Sequence, residues 1–453
     1  MTLNAESSRT SRVLSVLFRP FSKVRPAEAV VVGVMTLAAF LLLTAYYLLK
    51  TVREPLILLQ GGAETKIYAR AAQAAIMAVF VHFYGELAKR VARLKLLVGV
   101  FLFFISNLAL FALLARTSLQ IGLAFFLWVG VFSYTIVAQF WGLAADLCSE
   151  EQGKRLFPII GGGSSVGAVA GAALAKSLVP LGPHALMATA VGILLTCAGL
   201  IAWAGRRPLT SGSPVPASVE EEPLSQEGAF QLILDDKYLL LIAGMVVFLN
   251  WVNSSGEYLL DRTLLVAAQE AAVAHGVQPR EFIGAFKADY YGWYNLIGVM
   301  LELFAVSRIL RLVGVQKALF ALPVFALFAY GAAFFVPVLA LMRLVKIGEN
   351  SLQYSLQDTT RHALFLTASR AEKFVGKIVV DTVAVRFGAI MSAAMVWLGA
   401  RAGWSASTFA AINVILACTW LAFVVAIGKE HLRRSTQTAV PEQPAPEPAS
   451  VSA

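Results

Sequence analysis

Apolar segments of membrane length, separated by short polar stretches, recur along almost the whole chain. A helix needs about 20 predominantly apolar residues to cross the hydrocarbon core of a bilayer. Spans 96–115 and 184–204 are the most uniformly apolar, whereas charged residues interrupt those near 286–305, 336–357 and 377–400. The pattern predicts an all-α polytopic membrane protein with about twelve transmembrane helices, near 29–49, 67–88, 96–115, 120–146, 157–180, 184–204, 238–258, 286–305, 317–335, 336–357, 377–400 and 407–427.

The composition agrees with a lipid environment. The chain is 58% hydrophobic and 14% charged, against about 45–50% and about 25% in soluble domains. Its net charge of +10 would suggest nucleic acid in a soluble protein, but here it indicates basic loops beside anionic lipid. The three cysteines and five histidines form no CxxC pair or metal spacing, so we predict no metal site, no cofactor and no disulfide framework.

One long polar stretch, 205–237, divides the predicted spans into six and six. We therefore predict an N-terminal half at 29–204, a cytoplasmic linker at 205–237 and a C-terminal half at 238–430. A basic leader, 1–28, precedes them, and a Pro/Ala-rich disordered tail, 431–453, follows. Two parallel six-helix repeats around a central site describe the major-facilitator architecture.

Basic residues mark one side of the predicted bundle. They cluster in AKRVARLK after span two, GRR after span six and KEHLRR after span twelve. Because cytoplasmic loops carry an excess of Lys and Arg, this pattern places both termini in the cytoplasm. We expect a monomer in a bacterial inner membrane.

Charged side chains also occur at the end of the first span, in YYLLKTVRE. Lys50, Arg53 and Glu54 are spaced i, i+3 and i+4, so they share one helical face. A charge at the bilayer centre costs at least about 2.5–3.5 kcal/mol on insertion scales, so such residues face protein, water or substrate. Snorkelling at the membrane edge is the alternative, but the apolar PLILL that follows favours a cavity.

Span seven carries a polar stripe in FLNWVNSSGEYLLDR. Asn250, Asn253, Ser254 and Glu257 repeat at i, i+3, i+4 and i+7. The stripe is either a hydrogen-bonded seam between helices or a polar cavity wall that contains Glu257.

Span ten is more polar still, with Arg343, Lys346, Gln353 and Asp358 in RLVKIGENSLQYSLQDTTRH. Lys346 and Glu349 could pair within the helix, but the other cations lack equal numbers of nearby acids. A surplus of Lys and Arg facing a central cavity favours an anionic substrate, because guanidinium groups bind phosphate oxygens in a fork and ammonium groups bind them as point charges.

Span eleven adds Lys377 and Asp381, spaced i, i+4. They form either an intrahelical ion pair at the cytoplasmic mouth or part of the same site.

In span five, Gly163, Gly167 and Gly171 lie four residues apart, which predicts close packing against another helix. The GGGSS at this point lacks the GK[ST] ending of a phosphate loop, so an ATPase is excluded. We predict that the protein is not an enzyme.

Three motifs resemble those of the bacterial and plastid-type ATP/ADP translocases. They are YYLLKTVREPL, QFWGLAADLCSEEQGKRLFPIIG and SLQYSLQDTTRHALFLTASRAEKFVGKIVVDTVAVRFG. The resemblance implies a major-facilitator-like fold and counter-exchange of nucleotides. It places the family's first-helix lysine and acid on Arg53 and Glu54, its helix-seven acid on Glu257 and its helix-eleven lysine on Lys377. Arg53 and Gln353 each replace a family lysine, so a related phosphorylated anion stays open as substrate.

The leading interpretation is thus a nucleotide or phosphorylated-anion antiporter that works by alternating access. A proton-coupled major-facilitator carrier, with Glu257 or Asp381 taking the proton, and a non-transporting membrane scaffold are the alternatives. The candidate substrate-binding residues are Lys50, Arg53, Glu54, Glu257, Arg343, Lys346, Gln353, Asp358, Lys377 and Asp381.

Overall fold

The computed structural model describes residues 24–88, 90–207, 234–365, 377 and 380–438, and the regular secondary structure in these ranges is helical throughout. The first half contains α1 Pro26–Ala88, α2 Arg93–Leu114, α3 Gly122–Leu147, α4 Glu150–Leu178 and α5 Pro183–Ala204. The second half contains α6 Lys237–His275, α7 Pro279–Leu301, α8 Ser307–Ala318, α9 Ala321–Phe335, α10 Leu339–Leu352, α11 Asp358–Leu364, α12 Val385–Arg401 and α13 Ala406–Thr438.

Helix α1 is two helical segments joined at Gly62. The backbone there has φ 76°, a left-handed conformation that favours glycine. Lys66, after the break, contacts Glu54 before it, so the two segments face each other like the predicted spans one and two. We call this end of the bundle the Gly62 end.

Eight helices in the described ranges are long and apolar enough to cross a membrane, or nine if the bent pair Pro279–Ala318 and Ala321–Phe335 is one span. This confirms the all-α polytopic fold, while the number twelve stays a prediction. The difference has three physical sources: α1 contains two predicted spans, the bent pair contains predicted spans eight and nine, and the polar α10 region interrupts span ten.

The buried apolar side chains of the described residues form two large cores. One is built from α1 to α5 around Phe101, Phe125 and Phe132, and the other is centred on the second half, around Tyr330 and Trp420. The predicted leader, linker and tail fall largely outside the described residues. Helix α13 continues to Thr438, so helical structure extends past the boundary predicted at residue 430.

The glycine spacing in α4 brings that helix against α1. A Cβ atom at Gly163, Gly167 or Gly171 would lie 2.6, 2.3 or 2.7 Å from backbone oxygens of α1, closer than side-chain carbons come. The hydroxyl of Thr44 donates to the Gly167 carbonyl oxygen across this contact, at 3.2 Å. The predicted close packing is confirmed.

In the part of the second half that the structure describes, three short π-helical segments occur, at Glu302–Val306, Gln353–Gln357 and Val380–Ala384. Segments of this kind are frequent at functional sites. The second contains Tyr354, which is 55% exposed although its neighbours Ser355 and Leu356 are buried. The π-helical turn therefore coincides with an aromatic side chain that the protein leaves uncovered.

Candidate functional site

Five charged side chains meet where the two halves touch, towards the Gly62 end. We call them the ionic cluster: Glu54 and Lys66 from α1, Glu257 and Asp261 from α6, and Lys287 from α7. Each is at least nine-tenths buried, and Glu54 and Lys287 are fully buried. The cluster is thus an interior ion-pair network and not a group of side chains that reach the membrane edge.

The lysines of the ionic cluster bridge the carboxylates of both halves. Lys66 Nζ contacts a Glu54 oxygen and lies 2.6 Å from Asp261 Oδ2. Lys287 Nζ lies 2.6 Å from Asp261 Oδ1, 3.7 Å from Glu257 Oε2 and 3.8 Å from Glu54 Oε2. Because desolvating charges is costly, pairs of this kind stabilise the interior only when their partners are in place.

Arg53 completes the charge balance of the ionic cluster. Its Nε donates to Glu54 Oε1 at 3.1 Å, and its guanidinium carbon lies 4.8 Å from the centroid of the Phe126 ring. With Arg53, Lys66 and Lys287 there are three cations against three carboxylates, so the formal charge of the group is zero.

Two further cations adjoin this neutral group without a carboxylate of their own. Among the residues that the structure describes, no Asp or Glu oxygen lies within 4.0 Å of Lys50 or Arg70. Both side chains are half-buried. Arg70 interacts electrostatically with Glu257, Arg53 and Glu54, and Lys50 interacts with Arg70. Counted by formal charge, the region therefore has two cations in excess of its carboxylates.

Tyrosine rings surround Lys50. Its Nζ atom lies 4.4 Å from the ring centroid of Tyr291, 5.1 Å from that of Tyr47, 5.3 Å from that of Tyr294 and 5.9 Å from that of Tyr46. It donates a hydrogen bond to Tyr294 Oη at 2.7 Å. We call these four tyrosines the tyrosine cage.

Glu257 links the ionic cluster to the polar stripe of α6. Its Oε1 accepts a hydrogen bond from Tyr290 Oη at 2.7 Å. Asn253, one turn earlier, donates to Asn350 Oδ1 at 2.9 Å and to Gln353 Oε1 at 2.8 Å. The stripe thus serves as a seam to span ten at Asn253 and as part of the charged interior at Glu257.

The other candidate cations of span ten are paired elsewhere. Arg343 contacts Asp289, and its side chain is 35% exposed, so it lies outside the ionic cluster. Lys346 is fully buried and lies 2.8 Å from Glu349, which also accepts a 2.7 Å hydrogen bond from Tyr330 Oη. The intrahelical pairing of Lys346 and Glu349 that the spacing allowed is therefore present.

Asp358 and Asp381 belong to a separate group at the other end of span ten. Arg361 lies 3.3 Å from an Asp358 oxygen and 3.0 Å from an Asp381 oxygen. Lys377 is half-buried and interacts electrostatically with His362 in this region. Of the ten candidate residues, the structure places Arg53, Glu54 and Glu257 in the buried network and Lys50 beside it.

Sequence reasoning missed Lys66, Arg70, Asp261 and Lys287. Lys66 and Arg70 are spaced i, i+4, a signal as strong as the one at Lys50 and Arg53, but the predicted second span began one residue after Lys66. Lys287 lies in predicted span 286–305, where the neighbouring Asp289 makes a local ion pair the simplest interpretation. The described residues contain no group of three or more His, Cys, Asp or Glu that could hold a metal ion.

No protein-family model matches the chain. Among curated proteins, the chain is 23% identical over 296 residues to ADP,ATP carrier protein 1 of Chlamydia trachomatis serovar D. The alignment covers 56% of this chain and 54% of the carrier. The chain thus spans about half the length of the curated relative that it matches.

Solved structures of transporters show the same fold. The nucleoside transporter NupG superposes with a TM-score of 0.63 at 12% identity, covering 89% of this chain and 99% of NupG. PepTSo, a transporter of the POT family, superposes with a TM-score of 0.62 at 10% identity, covering 88% and 98%. These relatives and neighbours are transporters and not enzymes. The chain is therefore a multi-pass membrane protein with the fold of the major-facilitator transporters, and its sequence is similar to that of an ADP,ATP carrier protein.

Proposed function

We propose that this protein is an antiporter that exchanges nucleotides, or related phosphorylated anions, by alternating access. It would lie in a bacterial inner membrane with both termini in the cytoplasm. The similarity to a carrier named for ADP and ATP supports the nucleotide class. The observation that best supports the proposal is the pair of cations Lys50 and Arg70, which have no carboxylate partner among the described residues and lie beside a charge-balanced network.

An excess of positive charge in the interior suits a polyphosphate. Lys50 offers an ammonium point charge and Arg70 offers a planar fork of donors, the two recognition modes that phosphate oxygens accept. Glu54, Glu257 and Asp261 already neutralise Arg53, Lys66 and Lys287, so the substrate would not have to displace an internal carboxylate. The substrate would thus supply the missing negative charge.

The ionic cluster also suggests how exchange would be enforced. The Lys66–Asp261 and Lys287–Glu54 pairs join the two halves, so opening the Gly62 end requires their separation in a medium of low dielectric. A bound anion would lower the cost of that change if it interacts more favourably with the state in which the pairs have parted. Without it, the excess charge on Lys50 and Arg70 would stay uncompensated, and an empty carrier would reorient slowly.

Reconstitution into liposomes tests the proposal. We expect uptake of labelled ATP to depend on nucleotide or another phosphorylated anion inside the vesicles. Lys50→Ala and Arg70→Ala should each reduce uptake about tenfold or more, the size of one lost hydrogen bond to a charged group. Arg433→Ala is the matched control, because it removes one positive charge from a side chain that is 62% exposed and pairs with Glu430.

Two results would contradict the proposal. No uptake of labelled nucleotide with any internal anion would exclude the nucleotide class. Uptake that a protonophore abolishes and that internal nucleotide does not affect would instead favour a proton-coupled carrier, with a buried carboxylate such as Glu257 taking the proton.

A further inference from the structure

Lys50 is stabilised by groups that carry no net charge. Its ammonium donates to the hydroxyl of Tyr294 at 2.7 Å, and the nearest ring centroid, that of Tyr291, lies 4.4 Å away. An aromatic ring attracts a cation through its quadrupole, and a hydroxyl attracts it through a dipole. Neither neutralises the cation, so the tyrosine cage holds Lys50 in place while its charge remains available to a ligand.

The acids of the surrounding interior are unavailable to Lys50. Glu54 and Asp261 contact Lys66, and Glu257 is shared between Tyr290 and the lysines of the ionic cluster. If one of these carboxylates approached Lys50, the excess charge would be lost and an anion would have to compete for it. The tyrosine cage and the ionic cluster therefore act together: one holds the free cation, and the other keeps the carboxylates away from it.

The tyrosine cage is built from both halves of the protein. Tyr46 and Tyr47 lie on α1, one turn before Lys50, whereas Tyr291 and Tyr294 lie on α7. The hydroxyl of Tyr47 hydrogen-bonds to Tyr294 Oη at 3.1 Å and to Asn295 Oδ1 at 2.9 Å. These bonds fix the α7 rings against α1, so the second half determines where the ammonium of the first half is held.

Tyr291 contributes through its ring and not through its hydroxyl. The side chain is 3% exposed, and its hydroxyl makes no hydrogen bond to any residue that the structure describes. The ring of Tyr291 is the nearest to Lys50, so the ring and not the hydroxyl makes the contact with the cation. Phenylalanine should therefore replace this residue without loss, whereas an aliphatic side chain should not.

We propose that Tyr291 and Tyr294 are positioning residues that hold Lys50 as an unpaired cation for the phosphate groups of the substrate. The identity of the ligand rests on the proposed function, whereas the positioning itself does not. The two parts can be tested separately, because the state of the Lys50 amine can be measured without any transport.

The first measurement is the rate at which Lys50 is modified by reductive methylation at constant pH, followed by mass spectrometry of the purified full-length protein. Only the neutral amine reacts, and the tyrosine cage favours and shields the ammonium. Tyr291→Leu should therefore raise the rate about threefold to tenfold, the range expected for one cation–π contact in a desolvated site. Tyr291→Phe should leave the rate within about twofold of that of the unsubstituted protein.

Tyr294→Phe is the second variant. If Tyr291→Leu does not fold, this variant still tests whether the tyrosine cage positions Lys50. It retains the ring and removes the hydroxyl that accepts from Lys50, so it should also raise the methylation rate. Phe132→Leu is the control for general loss of packing, because Phe132 is a buried ring that stacks on Trp128, and no cation of the described residues lies over its face. It should not change the reactivity of Lys50.

The second measurement separates the two proposals. In liposomes, Tyr291→Leu should raise the KM for nucleotide about threefold to tenfold while kcat changes less than about twofold, and Tyr291→Phe should restore the original KM. Equal methylation of Lys50 in the unsubstituted protein, Tyr291→Leu and Tyr294→Phe would overturn the positioning role. Altered methylation in a protein that exchanges no nucleotide would instead overturn the proposed function and leave the tyrosine cage in place.

Discussion

Lys66 and Asp261 lie on different halves of the protein, and their charged atoms are 2.6 Å apart. Asp261 is also 2.6 Å from Lys287, so one carboxylate of α6 joins α1 and α7. The side chain is 1% exposed. A single buried acid thus holds two lysines that would otherwise repel each other at the contact between the halves.

Asp261→Asn should therefore be strongly destabilising. The amide keeps the shape of the side chain but leaves Lys66 and Lys287 with one carboxylate fewer between them. Removing one partner from a buried ion pair costs on the order of 3–5 kcal/mol. We expect a clear fall in the unfolding temperature, measured by intrinsic tryptophan fluorescence of the detergent-solubilised protein.

Asp289→Asn provides the matched comparison. Asp289 also bridges two cations, Lys176 at 2.8 Å and Arg343, but it is 23% exposed and the Lys176 side chain is 57% exposed. Because solvent screens such pairs, the loss should be about 1 kcal/mol or less. Equal loss of stability in the two variants would mean that burial of the ionic cluster contributes nothing.

A disulfide between α4 and α7 should lock the two halves together. A Cβ atom at Gly292 would lie 3.8 Å from the Cβ of Ala172, within the range of about 3.5–4.5 Å found in disulfides. The Ala172→Cys, Gly292→Cys double variant should cross-link under oxidising conditions. If the halves must separate here during transport, nucleotide exchange should stop on oxidation and return on reduction.

The two single-cysteine variants are the controls and should exchange at the same rate with and without oxidant. Cys418, the exposed native cysteine, is replaced by serine in all of them to prevent other cross-links. A cross-linked protein that exchanges as fast as the reduced one would show that this contact does not move in the cycle.

The sequence was sufficient for the features that depend on local spacing. The glycines four residues apart predicted close packing of α4 against another helix, which the structure identifies as α1, and the spacing of Lys50, Arg53 and Glu54 predicted that they share a face. The partners of these residues could not be predicted, because Lys66 reaches Glu54 only through the break at Gly62, and Lys287 reaches it only through the packing of α7 against α1. Pairing across halves is set by tertiary structure, and a pattern along one helix does not contain it.

The same limit explains the candidates that lie elsewhere. Arg343, Lys377 and Lys50 are all charged residues in apolar spans. The hydropathy pattern therefore cannot show which of the three has an acid partner. In the structure Arg343 finds Asp289 on the neighbouring α7, and Lys377 lies near His362. Arg343 therefore differs from Lys50 because a neighbouring helix presents a carboxylate to it, and hydropathy along one span does not contain that information.

Gly167→Ala should disrupt the packing of α4 on α1. The added methyl carbon would lie 2.3 Å from the carbonyl oxygen of Phe40, a backbone atom that can move only with its helix. Overpacking of this kind costs roughly 1–3 kcal/mol, so the unfolding temperature should fall. Gly162→Ala is the control: no atom lies within 4 Å of the added carbon, and stability should be unchanged or slightly higher. Similar stability of both variants would show that the helices can separate at no cost.

Tyr354→Leu should weaken binding of nucleotides without weakening binding of inorganic pyrophosphate. The Tyr354 ring is 55% exposed, its centroid lies 5.8 Å from that of Tyr294, and it interacts electrostatically with Arg70. A planar base can stack on an exposed ring beside the cations that hold its phosphates. Because base–aromatic stacking is worth about 1–3 kcal/mol, the KM for nucleotide should rise roughly fivefold or more.

Inhibition of labelled-nucleotide uptake by pyrophosphate measures the phosphate part of the site alone, since pyrophosphate has no base. Its inhibition constant should be the same in Tyr354→Leu and in the unsubstituted protein. Phe328→Leu is the matched control, an aromatic side chain of α9 that is 73% exposed and lies outside the candidate site. If the KM for nucleotide and the inhibition constant of pyrophosphate rise together, Tyr354 supports the cations and does not bind the base. If neither rises, the base binds elsewhere, and Lys50 and Arg70 hold the phosphates without help from this ring.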